Sequence, residues 1–247
     1  DDDNVMKQLA YWTYPYTETI LCPSVCDVGR FDTKKIGYEG YMKLGYLHPN
    51  VFNQNNNKIV EKYHLHAPFV LIRLARLSAH HDFGIKGISH EISLKIIRII
   101  ESNGYKVYVS SENNSNYGLS SYFLKINPSD MHQILSNATL LISDSQSMSV
   151  EASMLGTPSI RVSDFAGKIS VLEELENKYQ LTFGIKPSEE DKLFNKISEL
   201  LKDRNVNDTF KRRKKVMLKD KIDVTAFLTW FIENYPQSVR NMNNNKN

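Results

Sequence analysis

The chain has 247 residues, 41% of them hydrophobic and 24% charged, with a formal net charge of +3. That is the profile of an ordinary globular protein, long enough for one large domain or for one domain plus part of another. So small a net charge gives no footing for a nucleic-acid-binding role. Cys22 and Cys26 are the only cysteines. They cannot make a four-thiolate zinc site and read as reduced core residues, which fits a cytoplasmic protein without a disulfide scaffold. No secretory leader is evident. The longest apolar runs, such as Phe69–Ile72, fall far short of the roughly 20 residues that span a bilayer. The expectation is a soluble protein, at most peripheral to a membrane. The chain opens on Asp1 rather than Met, so the start of a longer protein is expected to be missing.

In chain order, Val5–Thr13 has helical periodicity, with Val5, Leu9 and Trp12 on one face. Glu18–Cys22 reads as a short strand, Asp27–Thr33 as a loop and Lys35–Tyr38 as a second strand. An aromatic segment, Tyr38–Pro49, leads into the Asn-rich and exposed connection Asn50–Asn57. From there the pattern becomes regular. Pro68–Leu74 is a buried strand, Ser78–Ile88 a polar loop, and Ser89–Ser102 an amphipathic helix with Ile92, Ile96, Ile99 and Ile100 inward. Ser89 and Glu91 suit its start, and Gly104 suits its stop. Lys106–Ser110 and Ser120–Ile126 read as strands, Asn127–Ser136 as a Pro-opened helix, and Ala138–Ile142 as a strand. Then come helix Ser147–Leu155 closed by Gly156, strand Pro158–Val162, helix Lys168–Lys178, strand Leu181–Ile185 and helix Ser188–Lys202. Asp208–Leu218 and Val224–Asn234 are terminal helices, and the polar Pro236–Asn247 reads as disordered.

This alternation predicts an α/β fold, a doubly wound parallel sheet. Ligands then sit beyond the carboxyl ends of the strands, at the loops after Leu74, Ser110 and Ile142.

The strongest candidate site is the run from Leu140 to Pro158: strand, polar turn Ser143-Asp144-Ser145-Gln146-Ser147, helix, glycine stop. Hydroxyls and free amides at a helix N-terminus suit phosphate oxygens, and Glu151, one turn in, is placed to meet a ribose hydroxyl pair. From the residues alone a second reading stands equally: Asp144, Ser145 or Ser147 caps the helix and Glu151 is a solvated first-turn acid. The loop after the first strand of the regular region carries Arg73, Arg76, Ser78, His80, His81, Asp82, Gly84 and Lys86. An arginine there can grip a diphosphate bidentately, and His81-Asp82 can orient a proton-transfer group. The competing reading is a solvated loop with Arg73 in an ion pair. His64, His66, His80 and His81 lack accompanying carboxylates or thiols at ligand spacing, so no metal is expected. Glu39, Lys43 and Tyr46 would border an interdomain cleft, or pack the linker onto the domain. The basic run Lys211–Lys215 reads first as a solvated helix face and next as a lipid-attracting one.

The Asp144 segment resembles the phosphate-binding element of the glycosyltransferase-B superfamily, and above all the Asp-Ser-Gly-Gly-x-x-x-Glu-Ala element of non-hydrolysing UDP-N-acetylglucosamine 2-epimerases. Asp144, Ser145, Glu151, Ala152, Leu155, Gly156 and Pro158 match in order, and Arg161 follows the strand as an arginine does there. Gln146 and Ser147 stand where the epimerases have glycines. Together with Gly40–Pro49 and the stretch from Val70 to Gly84, the segment resembles a prokaryotic family of glycosyltransferase-B-like proteins linked with surface polysaccharide synthesis. The resemblance implies the C-terminal half of a Rossmann-like pair. Residues 1–34 would be a remnant of the N-terminal domain, 35–66 a linker segment, 67–206 the nucleotide-sugar-binding domain, 207–236 C-terminal helices and 237–247 a tail. It implies a UDP-linked nucleotide sugar as substrate, no cofactor, and a site of Lys43, Arg73, Ser78, His81, Asp144, Ser145, Gln146, Ser147, Met148 and Glu151, with His81 the candidate catalytic group. Glycosyl transfer is the leading reaction, with 2-epimerisation and a non-catalytic binding or assembly module as alternatives. Expected partners are the missing N-terminal domain, a second copy and a membrane surface, and the piece alone is expected to be inactive.

Overall fold

The computed structural model describes residues 2–54, 56–75, 87–111 and 118–244. Its main body is a five-stranded, all-parallel sheet in the order β4-β3-β5-β6-β7, formed by β3 (Phe69–Leu74), β4 (Lys106–Ser111), β5 (Leu140–Ser143), β6 (Ser159–Val162) and β7 (Thr182–Ile185). Strands β5 and β6 are buried throughout, and β3 everywhere except Arg73. That is the near-continuous burial of a sheet covered on both faces.

The covering helices follow the 3.6-residue period. In α4 (His90–Ser102) Ile92, Ile96, Ile97 and Ile100 are buried, and in α8 (Glu190–Lys202) Leu193, Ile197, Leu200 and Leu201. The Ser89 hydroxyl caps α4 by accepting the Ile92 amide. Helix α6 (Gln146–Leu155) ends at Gly156, whose φ of +77° is the left-handed conformation that closes a helix. The remaining layers are α5 (Met131–Asn137), α7 (Ser170–Asn177) and α9 (Val206–Asp220).

A smaller unit precedes this body. Helix α1 (Lys7–Thr13) packs beside a two-stranded parallel sheet of β1 (Ile20–Pro23) and β2 (Lys35–Tyr38). Residues 35–38, assigned by sequence to the linker, thus pair with β1. Cys22 and Cys26 are both free and buried in this unit's core. The short helices α2 (Leu44–Leu47) and α3 (Asn56–Lys62) carry the chain on to the main sheet.

Three segments differ from the sequence reading. Ser120–Ile126 is not a strand: it begins as a single 3-10 turn, Ser120–Tyr122, and pairs with the edge of β4 through an isolated bridge from Phe123 to Val109. Beyond that bridge its apolar residues lie against the core. Pro128–Asp130 is a 3-10 turn ahead of α5. The tail is ordered as α11 (Gln237–Asn244), which follows α10 (Val224–Glu233). Ser238 is fully buried there and its hydroxyl donates to the Phe231 carbonyl at 2.7 Å. A single docked serine anchors a segment whose composition reads as disorder. Helix α11 lies against β2, so the C-terminus returns to the smaller unit. Among the described residues no helix is long and apolar enough to cross a membrane.

Candidate functional site

Strands β4 and β5 flank β3, so the order of connection reverses around β3 and opens a crevice at the carboxyl ends of these three strands. A cleft of about 940 Å³ lies there, lined by Arg73, Ser110 and Ser111 at the strand ends, by Phe123–Ile126 and Met131 on one wall, and by His132, Met148 and Glu151. That is the size of a small-molecule site.

The turn after β5 is built from local hydrogen bonds. The Ser143 hydroxyl donates to the Arg73 carbonyl and accepts the Ser145 amide, both at 2.9 Å. Ser145 is the N-cap of α6, its hydroxyl accepting the Met148 amide at 3.4 Å. The amides of Gln146 and Ser147 then open α6 with no carbonyl inside the helix to receive them, and Ser147 is exposed. Asp144 faces elsewhere: its two carboxylate oxygens accept the Ala75 amide at 2.7 Å and the Ile88 amide at 3.3 Å. It ties the end of β5 to the segment leaving β3 and to the one entering α4, and so holds backbone rather than facing the cleft. Burial is the largest influence on its carboxyl and pushes it up to about 6, against the pull of those two amides and of the Arg73 charge.

Glu151 lies on the cleft side of α6 and is nonetheless 93% removed from solvent, with 7% relative exposure. Its Oε1 accepts the Tyr46 hydroxyl at 2.7 Å and stands 3.2 Å from Lys43 Nζ; its Oε2 is 3.3 Å from His132 Nε2. Burial by itself would raise this carboxyl. The hydrogen bonds from His132 and Tyr46 and the Lys43 charge outweigh it and hold the group down at about 2. The reading of Glu151 as a solvated acid is therefore overturned. The His132 ring packs against the Tyr46 ring, centroids 5.4 Å apart.

Of the ten sequence-derived candidates, Arg73, Met148 and Glu151 line the cleft, and Lys43 reaches its rim through Glu151. Arg73 Nη1 donates to the Ser110 hydroxyl at 2.8 Å. Gln146 turns inward: its Oε1 accepts Arg161 Nη1 at 3.3 Å, and its Nε2 is buried with no acceptor among the described residues. Arg161 is fully buried and pairs with Glu173 at 2.9 Å and Glu176 at 3.1 Å on α7, away from the cleft. Ser78 and His81, with Arg76, His80, Asp82, Gly84 and Lys86, lie outside the described residues. Among the described residues no cluster of three metal-ligating side chains occurs. The basic run on α9 divides: Lys211, Arg212 and Lys215 are exposed, while Lys214 is desolvated, with its Nζ 3.4 Å from the Leu155 carbonyl at the end of α6, and Arg213 holds Gln180. His132 and the wall 123–126 had no sequence signal. Residue 132 shares no motif with residue 151, and only the packing of α5 on α6 brings them together.

No family model matches the sequence, and no curated protein matches it. Solved structures do match. The MnaA protein of S. aureus, solved with UDP, aligns with a TM-score of 0.59 at 13% identity, over 85% of this chain and 57% of that one. WaaG, a glycosyltransferase involved in lipopolysaccharide biosynthesis, aligns at 0.55 and 10% identity over 81% and 58%. The spinosyn forosaminyltransferase SpnP aligns at 0.52 and 13% identity over 88% and 55%. The chain thus has the glycosyltransferase-B type of α/β fold. It spans less than two thirds of the length of each of these structures.

Proposed function

We propose that this chain is the nucleotide-sugar-binding part of a glycosyltransferase-B-type enzyme and that the cleft at the ends of β3, β4 and β5 takes a nucleoside diphosphate, with UDP the leading candidate. The observation that carries this reading is Glu151: a carboxylate kept ionised while buried, on the wall of a cleft at the start of a helix. Such a group suits a ribose hydroxyl, which is neutral and donates. The amides of Gln146 and Ser147 and the Arg73 guanidinium suit the diphosphate. In glycosyl transfer the same donors would stabilise charge on the departing diphosphate. The UDP in the S. aureus structure and the glycosyltransferase identity of WaaG support the ligand class and a part in bacterial surface polysaccharide synthesis. Groups acting on the sugar and acceptor would come from a further domain, and this piece alone would not turn over.

Calorimetric titration with UDP tests the reading. Glu151→Ala should weaken binding by about 1–3 kcal/mol, the cost of a lost hydrogen bond to a charged group. A chain that binds neither UDP nor any other nucleoside diphosphate would leave only a non-catalytic module, and a variant that binds as the parent does would remove Glu151 from the site.

A further inference from the structure

Helix α9 turns one face inward and one to solvent. Val206, Phe210 and Met217 are buried, and the Phe210 ring stands edge-on to Phe183 of β7. Two of its cations are used in docking. Arg213 donates to the Gln180 carbonyl at 2.9 Å and to the Gln180 side-chain oxygen at 2.8 Å, and Lys214 Nζ lies 3.4 Å from the Leu155 carbonyl at the end of α6. The helix is thereby fixed in orientation. Its other cations point outward. Lys211, Lys215 and Lys219 recur every fourth residue and form one row, with Arg212 in the row beside it. All four are exposed, along about 12 Å of helix. Asp208, 4.0 Å from Lys211, is the one carboxylate within ion-pair distance of these four among the described residues. Asp220, at the flank, is held by Lys178 at 3.0 Å. Four cations against Asp208 leave +3 on this face, equal to the formal net charge of the whole chain. The rest of the chain is neutral in sum, so the field of the protein is concentrated on α9.

We propose that the outer face of α9 docks the protein on an anionic lipid surface. The charge is complementary, and a straight row of lysines on a convex helix meets a flat sheet of phosphates along its whole length. Lysine carries a compact charge on a flexible stem that can pass from one headgroup to the next, whereas bidentate recognition of nucleic-acid phosphate favours arginine. Of the four outward cations only Arg212 is an arginine. Stacking on single-stranded bases needs exposed rings, and the one ring on α9, Phe210, is buried. Val216, in the row of Arg212, is 55% exposed and offers an apolar contact at headgroup level. Each cation within a screening length of such a surface adds to the attraction. Because α9 packs on α6, docking holds the cleft in a set orientation to the bilayer.

Co-sedimentation with lipid vesicles is the test. The unmodified chain should bind vesicles that contain phosphatidylglycerol and not vesicles of phosphatidylcholine alone. It should leave the anionic vesicles as salt rises from about 0.1 M to about 1 M, where the screening length shrinks from about 10 Å to about 3 Å. Each cation beside such a surface is worth roughly a fivefold change in affinity, so Lys215→Gln with Lys219→Gln should bind roughly 25-fold more weakly. Lys211→Gln with Arg212→Gln should reproduce that loss through different side chains of the same face. Lys58→Gln with Lys106→Gln removes equal charge at exposed positions on α3 and on the far edge strand β4, and should bind as the parent does. No binding to anionic vesicles, unchanged binding in both α9 variants, or an equal loss in the Lys58 and Lys106 variant would overturn the assignment. So would a chain that ignores vesicles and binds single-stranded RNA through the α9 lysines, which would give the face to nucleic acid instead.

Discussion

Glu151 accepts the Tyr46 hydroxyl at 2.7 Å across 105 residues of chain. That bond joins the segment leaving the smaller unit to the helix that borders the cleft. It also helps hold the Glu151 carboxyl at about 2, against an ordinary value of 4.5.

A group whose folded value lies below its unfolded one stabilises the fold at neutral pH and loses that contribution as the folded value is approached from above. The Glu151 contribution should be complete above pH 4.5 and disappear towards pH 2. It is on the order of 3 kcal/mol. Thermal melts of the protein and of Glu151→Gln across this range check it. The glutamine variant should show the shallower fall in Tm on acidification, and parallel curves would contradict the assignment.

Asp144 runs the other way. Its folded value is raised from 3.8 to about 6, so its ionisation opposes folding. Its contribution is most favourable below pH 3.8 and is lost as pH rises through 6. Asp144→Ala orphans the Ala75 and Ile88 amides, a loss of about 1–3 kcal/mol. The deficit of the variant should be larger at pH 4 than at pH 7 in chemical denaturation. An equal deficit at both would show that the carboxyl does not titrate in the folded state as described.

Arg161 lies flat against Gly184, where an added Cβ would sit 2.8 Å from Nη2 and 3.1 Å from Cζ. Gly184→Ala should cost about 1–3 kcal/mol through overpacking. Arg161→Met removes the guanidinium that Glu173 and Glu176 hold from their part-exposed positions on α7 and should cost about 1–3 kcal/mol, the size of lost hydrogen bonds to charged groups. The double variant should be destabilised by less than the sum, because the clash vanishes with the guanidinium. Strict additivity in urea denaturation would rule out the contact.

The smaller unit leaves Leu9, Tyr11, Trp12 and Tyr16 exposed, at 46%, 65%, 68% and 82%. An aromatic surface of this kind favours association. Sedimentation velocity should show concentration-dependent self-association that Trp12→Lys lowers. A monomer at all concentrations would show the patch to be inert in this chain.

Local pattern was legible wherever a face repeats. The isoleucines of α4, the apolar run of β3 and the glycine closing α6 each announce their element, because burial of one stripe and the geometry of a helix end depend on neighbours only a few positions away. The Asp144–Glu151 turn was legible for the same reason. Ser120–Ile126 was not: an apolar run of that length fits a strand or a packed loop equally, and the choice depends on how far tertiary packing lets it pair along the edge strand β4. The polar tail was misread because one buried serine, Ser238, anchors it.

The amino-acid sequence by itself determined an alternating α/β chain, its strand–turn–helix and the acid one turn into that helix. Only the tertiary structure decided what surrounds the acid: Lys43, Tyr46 and His132 converge on it, while Asp144 and Arg161, similar in pattern, turn to backbone and to the half-buried carboxylates of α7. The physical reason is range. Periodicity records which face of an element is dry, whereas the state of a buried charge depends on which distant donors packing brings within about 3 Å of it.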